Sequence, residues 1–100
     1  MSKDVRGFLQ TCKNKRLRKN VEDMLQLLWD DYLLGVNVPK RQIPQSYLPK
    51  LGHKHNLYVC DLVEGWRMTY TLSTCAVHDG IRVDVIEVLS HPEYMKRFGY

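Results

Sequence analysis

The strongest constraint on the fold is a seven-residue stretch, WRMTYTL (66–72), in which large apolar and polar side chains alternate. A β-strand directs successive side chains to opposite faces of its sheet. The four large apolar residues would therefore pack on one face, and Arg67, Thr69 and Thr71 would lie on the other. We expect a sheet with at least one covered face.

Two other segments after residue 56 are also typical of strands. NLYVCDLV (56–63) and IRVDVIEVL (81–89) are rich in β-branched and apolar residues. Glu64-Gly65 and His78-Asp79-Gly80 lie between the strands and contain residues that favour tight turns. The sequence therefore predicts an antiparallel meander of three strands, with one face under helices and the other face open.

The first 35 residues have helical periodicity instead. Apolar residues at one-, three- and four-residue spacing predict a first helix over 4–12 and, with Asn14 as its N-cap, a second helix that ends at Gly35. The apolar stripe of the second helix consists of Leu17, Val21, Met24, Leu25, Leu28 and Tyr32, and Trp29 and Leu33 widen it. The two helices form a predicted αα-hairpin that needs a flat apolar surface to cover.

The remaining segments complete an α+β domain. Residues 36–56 contain three prolines and predict an ordered connector that holds one short edge strand. After the last strand, Ser90 and Glu93 match a capping box, which predicts a short C-terminal helix that ends at Gly99. We expect one domain over 1–100, an N-terminal αα-hairpin packed on a small antiparallel sheet of three to four strands, followed by that helix.

Composition excludes several classes of protein. A run of about 18 apolar residues, which a membrane span needs, does not occur. The beginning of the chain lacks the apolar segment of a signal peptide, so we expect a cytoplasmic protein. The three cysteines have neither the spacing of a disulfide framework nor that of a zinc site.

Charge is distributed unevenly along the chain. The net charge is +4, yet residues 1–20 carry seven Lys/Arg and one Asp, whereas residues 21–35 carry four acidic residues and no cation. The basic run KNKRLRK (13–19) indicates either a contact with a polyanion or a solvated helix face. The charge pattern alone leaves both interpretations open.

Three stretches together resemble the RelE/ParE superfamily of toxins from toxin–antitoxin pairs: LPKLGHKHNLYVCDL (48–62), GWRMTYTL (65–72) and VIEVLSHPEYMKRFGY (85–100). The resemblance to the RelE branch implies a metal-independent endoribonuclease without a cofactor. It implies cleavage of messenger RNA on the ribosome, in which a ribose 2′-oxygen attacks its own phosphate and leaves a 2′,3′-cyclic phosphate. The implied partners are a cognate antitoxin, the ribosome and mRNA, with no membrane.

The resemblance also implies roles for individual residues. Arg67 matches the strand arginine that contacts the scissile phosphate, and an arginine fork is suited to bind two phosphate oxygens. His91 and Tyr94 match the terminal region that holds the acid–base groups of the family. Charge and position suggest these RNA-binding residues: Lys13, Lys15, Arg16, Lys50, Lys54, Lys96 and Arg97.

Two departures keep other interpretations open. Some relatives have two lysines at the positions of Val59 and Asp61, and the amino-terminal strand of the family has no evident counterpart here. The alternatives are a ParE-like gyrase inhibitor, an inactive homologue that binds proteins, and a basic RNA-binding domain. Each residue also has an interpretation without a catalytic role. Arg67 would then be a strand residue paired with Asp61 or Glu87, and Tyr94 would be a core residue that packs on Phe98.

Overall fold

The predicted order of helices and strands is confirmed in a computed structural model of the chain, which describes residues 3–51, 56–75 and 80–99. The protein is a small α+β domain, as expected, and the predicted turn at 78–79 lies outside the described residues. The elements are α1 (Lys3–Thr11), α2 (Lys15–Asp30), β1 (Val36–Asn37), α3 (Leu48–Leu51), β2 (Tyr58–Asp61), β3 (Arg67–Cys75), β4 (Gly80–Leu89) and α4 (His91–Phe98).

The four strands form one antiparallel sheet in the order β1-β2-β3-β4. β1 is the short edge strand predicted in the connector. β2 begins later than predicted, because the side-chain amide of Asn56 replaces a backbone pair: it accepts from Leu72 N at 2.7 Å and donates to Leu72 O at 2.8 Å. The meander prediction is confirmed with four strands.

A β-bulge interrupts the pairing of β3 with β4. Thr69 lies opposite Glu87 and Tyr70 lies opposite Val85, so Ile86 has no residue opposite it. A bulge changes the alternation of side chains along its strand. Ile86 and Glu87 consequently both reach the sheet face that lies away from α1 and α2.

The αα-hairpin covers one face of the sheet, and the apolar residues buried between the helices and this face are here called the helix-side core. The even-numbered apolar residues of β3 point to this face, as their alternation predicts. Trp66, just before the strand, contacts Phe8 of α1 with ring centroids 5.6 Å apart. The buried members of this core are Leu17, Val21, Leu28, Cys60, Leu62, Met68, Tyr70 and Val85.

The opposite face of the sheet is covered, so the prediction of an open face is wrong. Tyr47 and Leu51 of the connector are fully or almost fully buried against it. The ring of Phe98 on α4 packs on the Tyr47 ring, with ring centroids 5.7 Å apart. The physical reason is that the connector and α4 both carry large apolar side chains whose burial is favourable. The buried members of this connector-side core are Val38, Tyr47, Leu51, Leu57, Val59 and Ile86.

The prediction that Gly35 ends α2 is also wrong. The helix ends at Asp30, and the Asp31 carboxylate accepts a hydrogen bond from Leu33 N at 3.1 Å, a local bond that competes with helix continuation. Gly35 instead allows a close approach: its N–H donates to the Tyr70 hydroxyl at 2.8 Å, and a Cβ there would lie 2.7 Å from that oxygen. Burial raises the pKa of Tyr70 to about 12, so the hydroxyl stays protonated.

Both predicted helix caps are present. The Asn14 side chain accepts from Leu17 N at 3.1 Å at the start of α2. The Ser90 hydroxyl accepts from Glu93 N at 3.4 Å, which is the first bond of a capping box. The same hydroxyl donates to the Glu93 carboxylate at 2.9 Å, where an ideal capping box has the carboxylate accept from the backbone N–H of the cap residue. Gly99 has a φ of 75° and terminates α4. The caps fix where α4 leaves the sheet and therefore where its Tyr94 lies.

Candidate functional site

A cavity of about 300 Å³ lies where the β1 edge, the connector and α4 meet. Two of the three predicted catalytic residues, Arg67 and Tyr94, line it together. Arg67 begins β3, and Tyr94 lies in the first turn of α4, so the antiparallel sheet and the cap at Ser90 bring them to one place. The other lining residues are Val36, Asn37, Val38, Pro39, Gln42, Val59 and Asp61.

The Arg67 side chain is held in place by four contacts. Its Nη1 donates to the carbonyl oxygens of Gly65 at 2.8 Å and Trp66 at 3.1 Å, and its Nε lies 2.9 Å from Asp61 Oδ1. Its Cζ lies 5.2 Å from the centre of the Tyr94 ring, within the range of a cation–π contact. Only 21% of the side chain is exposed. The guanidinium is therefore fixed at the wall of the cavity.

Asp61 provides the anion that Arg67 binds. It lies on β2 directly opposite Arg67, which brings the two side chains together across the strands. Of the two pairings open to Arg67 in the sequence, the one with Asp61 is therefore confirmed. The Asp61 side chain is 82% exposed, so the pair contributes little to stability. A carboxylate thus occupies one edge of the guanidinium that, in a nuclease, would bind phosphate oxygens.

Tyr94 has both a packing role and a place in the cavity. Its ring centroid lies 4.6 Å from that of Phe98, so the predicted packing of these two residues is confirmed. The same ring contacts the Arg67 guanidinium and lines the cavity. The structure therefore places Tyr94 between the connector-side core and the candidate site.

His91 lies next to the site and does not line the cavity. It is the first residue of α4, its side chain is exposed, and its Cβ lies 3.1 Å from where a Cβ on Gly65 would be. Gly65 has a φ of 80° and its carbonyl binds Arg67. Gly65 therefore contacts both residues: the His91 side chain lies next to its Cα, and Arg67 binds its carbonyl oxygen.

The same turn connects the site with the basic run. Arg16 Nη1 lies 3.8 Å from one Glu64 carboxylate oxygen, and Asn14 Nδ2 donates to the other at 3.3 Å. Lys13 and Lys15 are exposed beside them. The remaining two cations of the run form helical pairs with acidic residues of α2. Arg16 and the exposed Lys13 and Lys15 thus lie at the segment that contacts Glu64, while Arg67 binds the adjacent Gly65.

Two other predicted RNA-binding residues lie on α4. Lys96 is exposed, whereas Arg97 Nη1 donates to both carboxylate oxygens of Glu87 at 2.9 Å. Glu87 is nearly buried, so this ion pair fastens α4 to the sheet. The Lys50 side chain and Lys54 lie outside the described residues.

A buried tyrosine extends this polar network. The Tyr47 hydroxyl donates to Thr69 Oγ1 at 3.4 Å. Burial is the largest cause that raises the pKa of Tyr47 above its usual value, and the neighbouring Glu87 raises it further. The hydroxyl therefore stays protonated beside the carboxylate. Sequence reasoning did not identify Glu87 as a buried residue, because only the bulge turns it to this face.

A second surface, here called the apolar groove, lies between α2 and the first half of β4. It has a volume of about 540 Å³ and is lined mainly by apolar side chains. Trp29 lies at this groove with 85% of its surface exposed, and Ile81 is 43% exposed. Sequence reasoning placed Trp29 at the edge of the buried stripe of α2. Exposed apolar patches of this kind mark binding surfaces for proteins.

Fold and site together define a small α+β protein with an arginine–tyrosine site at one end of a four-stranded sheet. Comparisons with protein-family models, with curated proteins and with solved structures give no match. In the described part of the chain, no helix has the length and apolar character needed to cross a membrane.

Proposed function

We propose that the protein is a RelE-like toxin, a metal-independent endoribonuclease that cleaves ribosome-bound mRNA and so inhibits translation. One observation carries the proposal: the Arg67 guanidinium is held at the wall of a cavity that Tyr94 also lines. These are two residue types that phosphodiester cleavage uses, at the two chain positions where the resemblance expects them.

The chemistry divides between charge and proton transfer. The ribose 2′-oxygen attacks the adjacent phosphorus, and the bond from phosphorus to the 5′-oxygen breaks, which yields a 2′,3′-cyclic phosphate and a 5′-hydroxyl. Arg67 donates hydrogen bonds to the phosphate oxygens as their negative charge grows. The two proton transfers, from the 2′-hydroxyl and to the leaving 5′-oxygen, are proposed for Tyr94, which lines the cavity, and for His91. His91 lies beside Gly65 and would act on substrate that extends beyond the cavity.

Asp61 provides a direct test of how Arg67 acts. We expect Asp61→Asn to increase mRNA cleavage several-fold, because the asparagine removes an anion that competes with phosphate for Arg67 and repels it. The measurement is the rate of messenger cleavage in cell-free translation with increasing amounts of protein. Asp84→Asn, which removes the partner of Arg82 on β4, is the control with no expected effect. A large loss of cleavage in Asp61→Asn would instead indicate that Asp61 acts as a base.

The basic run supports contact with the ribosome. Lys13, Lys15 and Arg16 are exposed, and Arg16 contacts Glu64, the neighbour of the Gly65 whose carbonyl oxygen binds Arg67. Cations in the first turn of a helix oppose its dipole, so contact with phosphates would offset an unfavourable arrangement. These residues would hold ribosomal RNA while the cavity receives the messenger.

The apolar groove supports a protein partner, which in this proposal is the antitoxin. We expect Trp29→Ala to weaken toxin–antitoxin binding by at least about tenfold, because exposed tryptophans dominate the energetics of protein interfaces. Co-purification with the product of an adjacent small open reading frame, followed by calorimetry, measures this effect. Leu48→Ala, a comparable change in the connector at a residue that is 55% exposed, is the control. Equal affinity of the Trp29 variant and the parent would place the antitoxin elsewhere.

A gyrase inhibitor or an inactive homologue is the second candidate. It is favoured by the carboxylate that binds Arg67 and by Val59, which is buried where some relatives have a lysine. Purified protein added in parallel to a cell-free translation reaction and to a gyrase supercoiling assay separates the two. Messenger breaks with normal supercoiling support the nuclease, intact messenger with arrested supercoiling supports the gyrase inhibitor, and no effect in either assay supports the inactive homologue.

A further inference from the structure

The cavity beside Arg67 is lined by two kinds of residue. Its lining includes the Arg67 guanidinium and the Tyr94 ring, which contact each other, and the apolar residues Val36 and Pro39. Flat nucleobases bind between aromatic rings, guanidinium groups and apolar side chains. A volume of about 300 Å³ is at the lower end of the range for small-molecule sites, which suits one nucleotide.

Gln42, an exposed residue with a side-chain amide, also lines this cavity. It ends a 3₁₀ turn, Lys40–Gln42, in which Gln42 N donates to Pro39 O at 2.8 Å and Ile43 N donates to Lys40 O at 3.2 Å. Ile43 packs against the connector-side core, so the turn is anchored to the domain. The backbone that carries Gln42 is therefore fixed relative to the sheet.

Asn37 also lines the cavity, but the strand register assigns its side chain to the other face of the sheet. It lies directly opposite Tyr58, which packs against the helix-side core, and residues opposite each other on paired strands share a face. Gln42 is accordingly the side chain of this cavity that offers both a hydrogen-bond donor and an acceptor from one amide.

We infer that this cavity is a nucleobase subsite in which Gln42 reads the base edge and favours adenine, while Arg67 binds the adjoining phosphate. The inference rests on the proposed function and specifies which substrate nucleotide the site selects. A glutamine amide is complementary to the adenine edge, since it donates to N7 and accepts from the N6 amino group. Guanine offers two acceptors on the same edge, so the amide oxygen would face another acceptor.

The test measures binding separately from cleavage. Isotope-labelled protein is titrated with the 5′-monophosphates of adenosine, guanosine, cytidine and uridine, and the amide resonances are followed by NMR. We expect adenosine monophosphate to shift the Gln42 side-chain amide and the Asp61 backbone amide, with an affinity about fivefold or more above that for the other three. Shifts confined to other surfaces, or equal affinity for all four nucleotides, would overturn the inference.

Two variants and a matched control sharpen the result. Gln42→Ala should abolish the preference for adenosine monophosphate, and Arg67→Ala should lower the binding affinity for all four nucleotides. Gln45→Ala, at an exposed glutamine of the same connector, should preserve the preference. Retention of the preference in Gln42→Ala would overturn the inference.

The same variants distinguish this inference from the proposed function. In cell-free translation, Gln42→Ala should still cleave mRNA but with an altered distribution of bases at the cut sites. Cleavage with an unchanged distribution, together with no adenine preference in the titration, would reject the nucleobase subsite and retain the proposed nuclease activity. An adenine preference without any cleavage by the parent protein would reject the proposed nuclease activity and retain the nucleobase subsite.

Discussion

Replacement of Arg67 by alanine is expected to lower messenger cleavage by about 100-fold or more. The guanidinium is the fixed positive charge of the cavity, and a truncated side chain would leave the charge that develops on the phosphate without a donor. The rate is measured in cell-free translation by primer extension on a defined messenger. Loss of growth arrest in cells that express the variant gives an independent readout.

The fold should survive this change. The ion pair that Arg67 forms with the exposed Asp61 contributes under about 1 kcal/mol to stability. Arg82→Ala is the matched control, because Arg82 also lies on a strand and also pairs with an aspartate, Asp84, at 3.1 Å. It should leave cleavage unchanged. If the two alanine variants lost activity equally, the assignment of Arg67 to the phosphate would be wrong.

Replacement of Glu87 by alanine is expected to lower the free energy of unfolding by about 3 kcal/mol or more. The change leaves Arg97 without the carboxylate that accepts two hydrogen bonds from it, and it opens a space beside the buried Tyr47. Removal of one partner from a nearly buried ion pair costs more than the pair itself contributes. The measurement is urea denaturation followed by far-UV circular dichroism.

An exposed ion pair provides the control for this prediction. Glu22→Ala removes a carboxylate that pairs with Arg18 on the surface of α2, and it should change stability by less than about 0.5 kcal/mol. Arg97→Ala should be destabilising as well, because it leaves the Glu87 carboxylate nearly buried without its cation. Similar stabilities for the Glu87 and Glu22 variants would contradict the proposed role of the network in fastening α4.

Local patterns in the sequence predicted most of the fold. The alternation in WRMTYTL assigned the faces of β3 correctly, and Asn14 and Ser90 were correctly identified as helix caps. These features depend on side chains a few residues apart, so a single sequence contains the information. The predicted end of α2 was wrong because Asp31 forms a competing local hydrogen bond, and Gly35 is needed for contact with a distant tyrosine.

The covered second face of the sheet depends on long-range packing. Tyr47 lies among prolines in a segment without periodicity, so the sequence indicates an apolar anchor there but not that it covers the second face of the sheet, against β3 and α4. The bulge at Ile86 is equally invisible in the sequence, since IRVDVIEVL is apolar enough to fit several registers. That bulge decides that Glu87 binds Arg97, and it leaves Asp61 as the partner of Arg67.

Part of the candidate site was predictable, because that part depends on local patterns in the sequence. The antiparallel pairing of β2 with β3 places Asp61 opposite Arg67, and the capping box fixes the start of the helix that carries Tyr94. Gln42 lines the cavity from a 3₁₀ turn of the connector, whose path depends on how Ile43 packs. Such a position follows from tertiary contacts and has no signal in residue spacing.

The most direct test of the central claim is the chemistry of the broken messenger ends. Purified protein is added to a cell-free translation reaction, and the 3′ ends of the messenger fragments are mapped and examined for a cyclic phosphate. A ribosome-dependent nuclease of the proposed kind predicts cuts in phase with the codons, ends that carry a 2′,3′-cyclic phosphate, and no cuts when ribosomes are omitted. Messenger that stays intact at protein concentrations that stop translation in the same reaction would contradict the proposed nuclease activity.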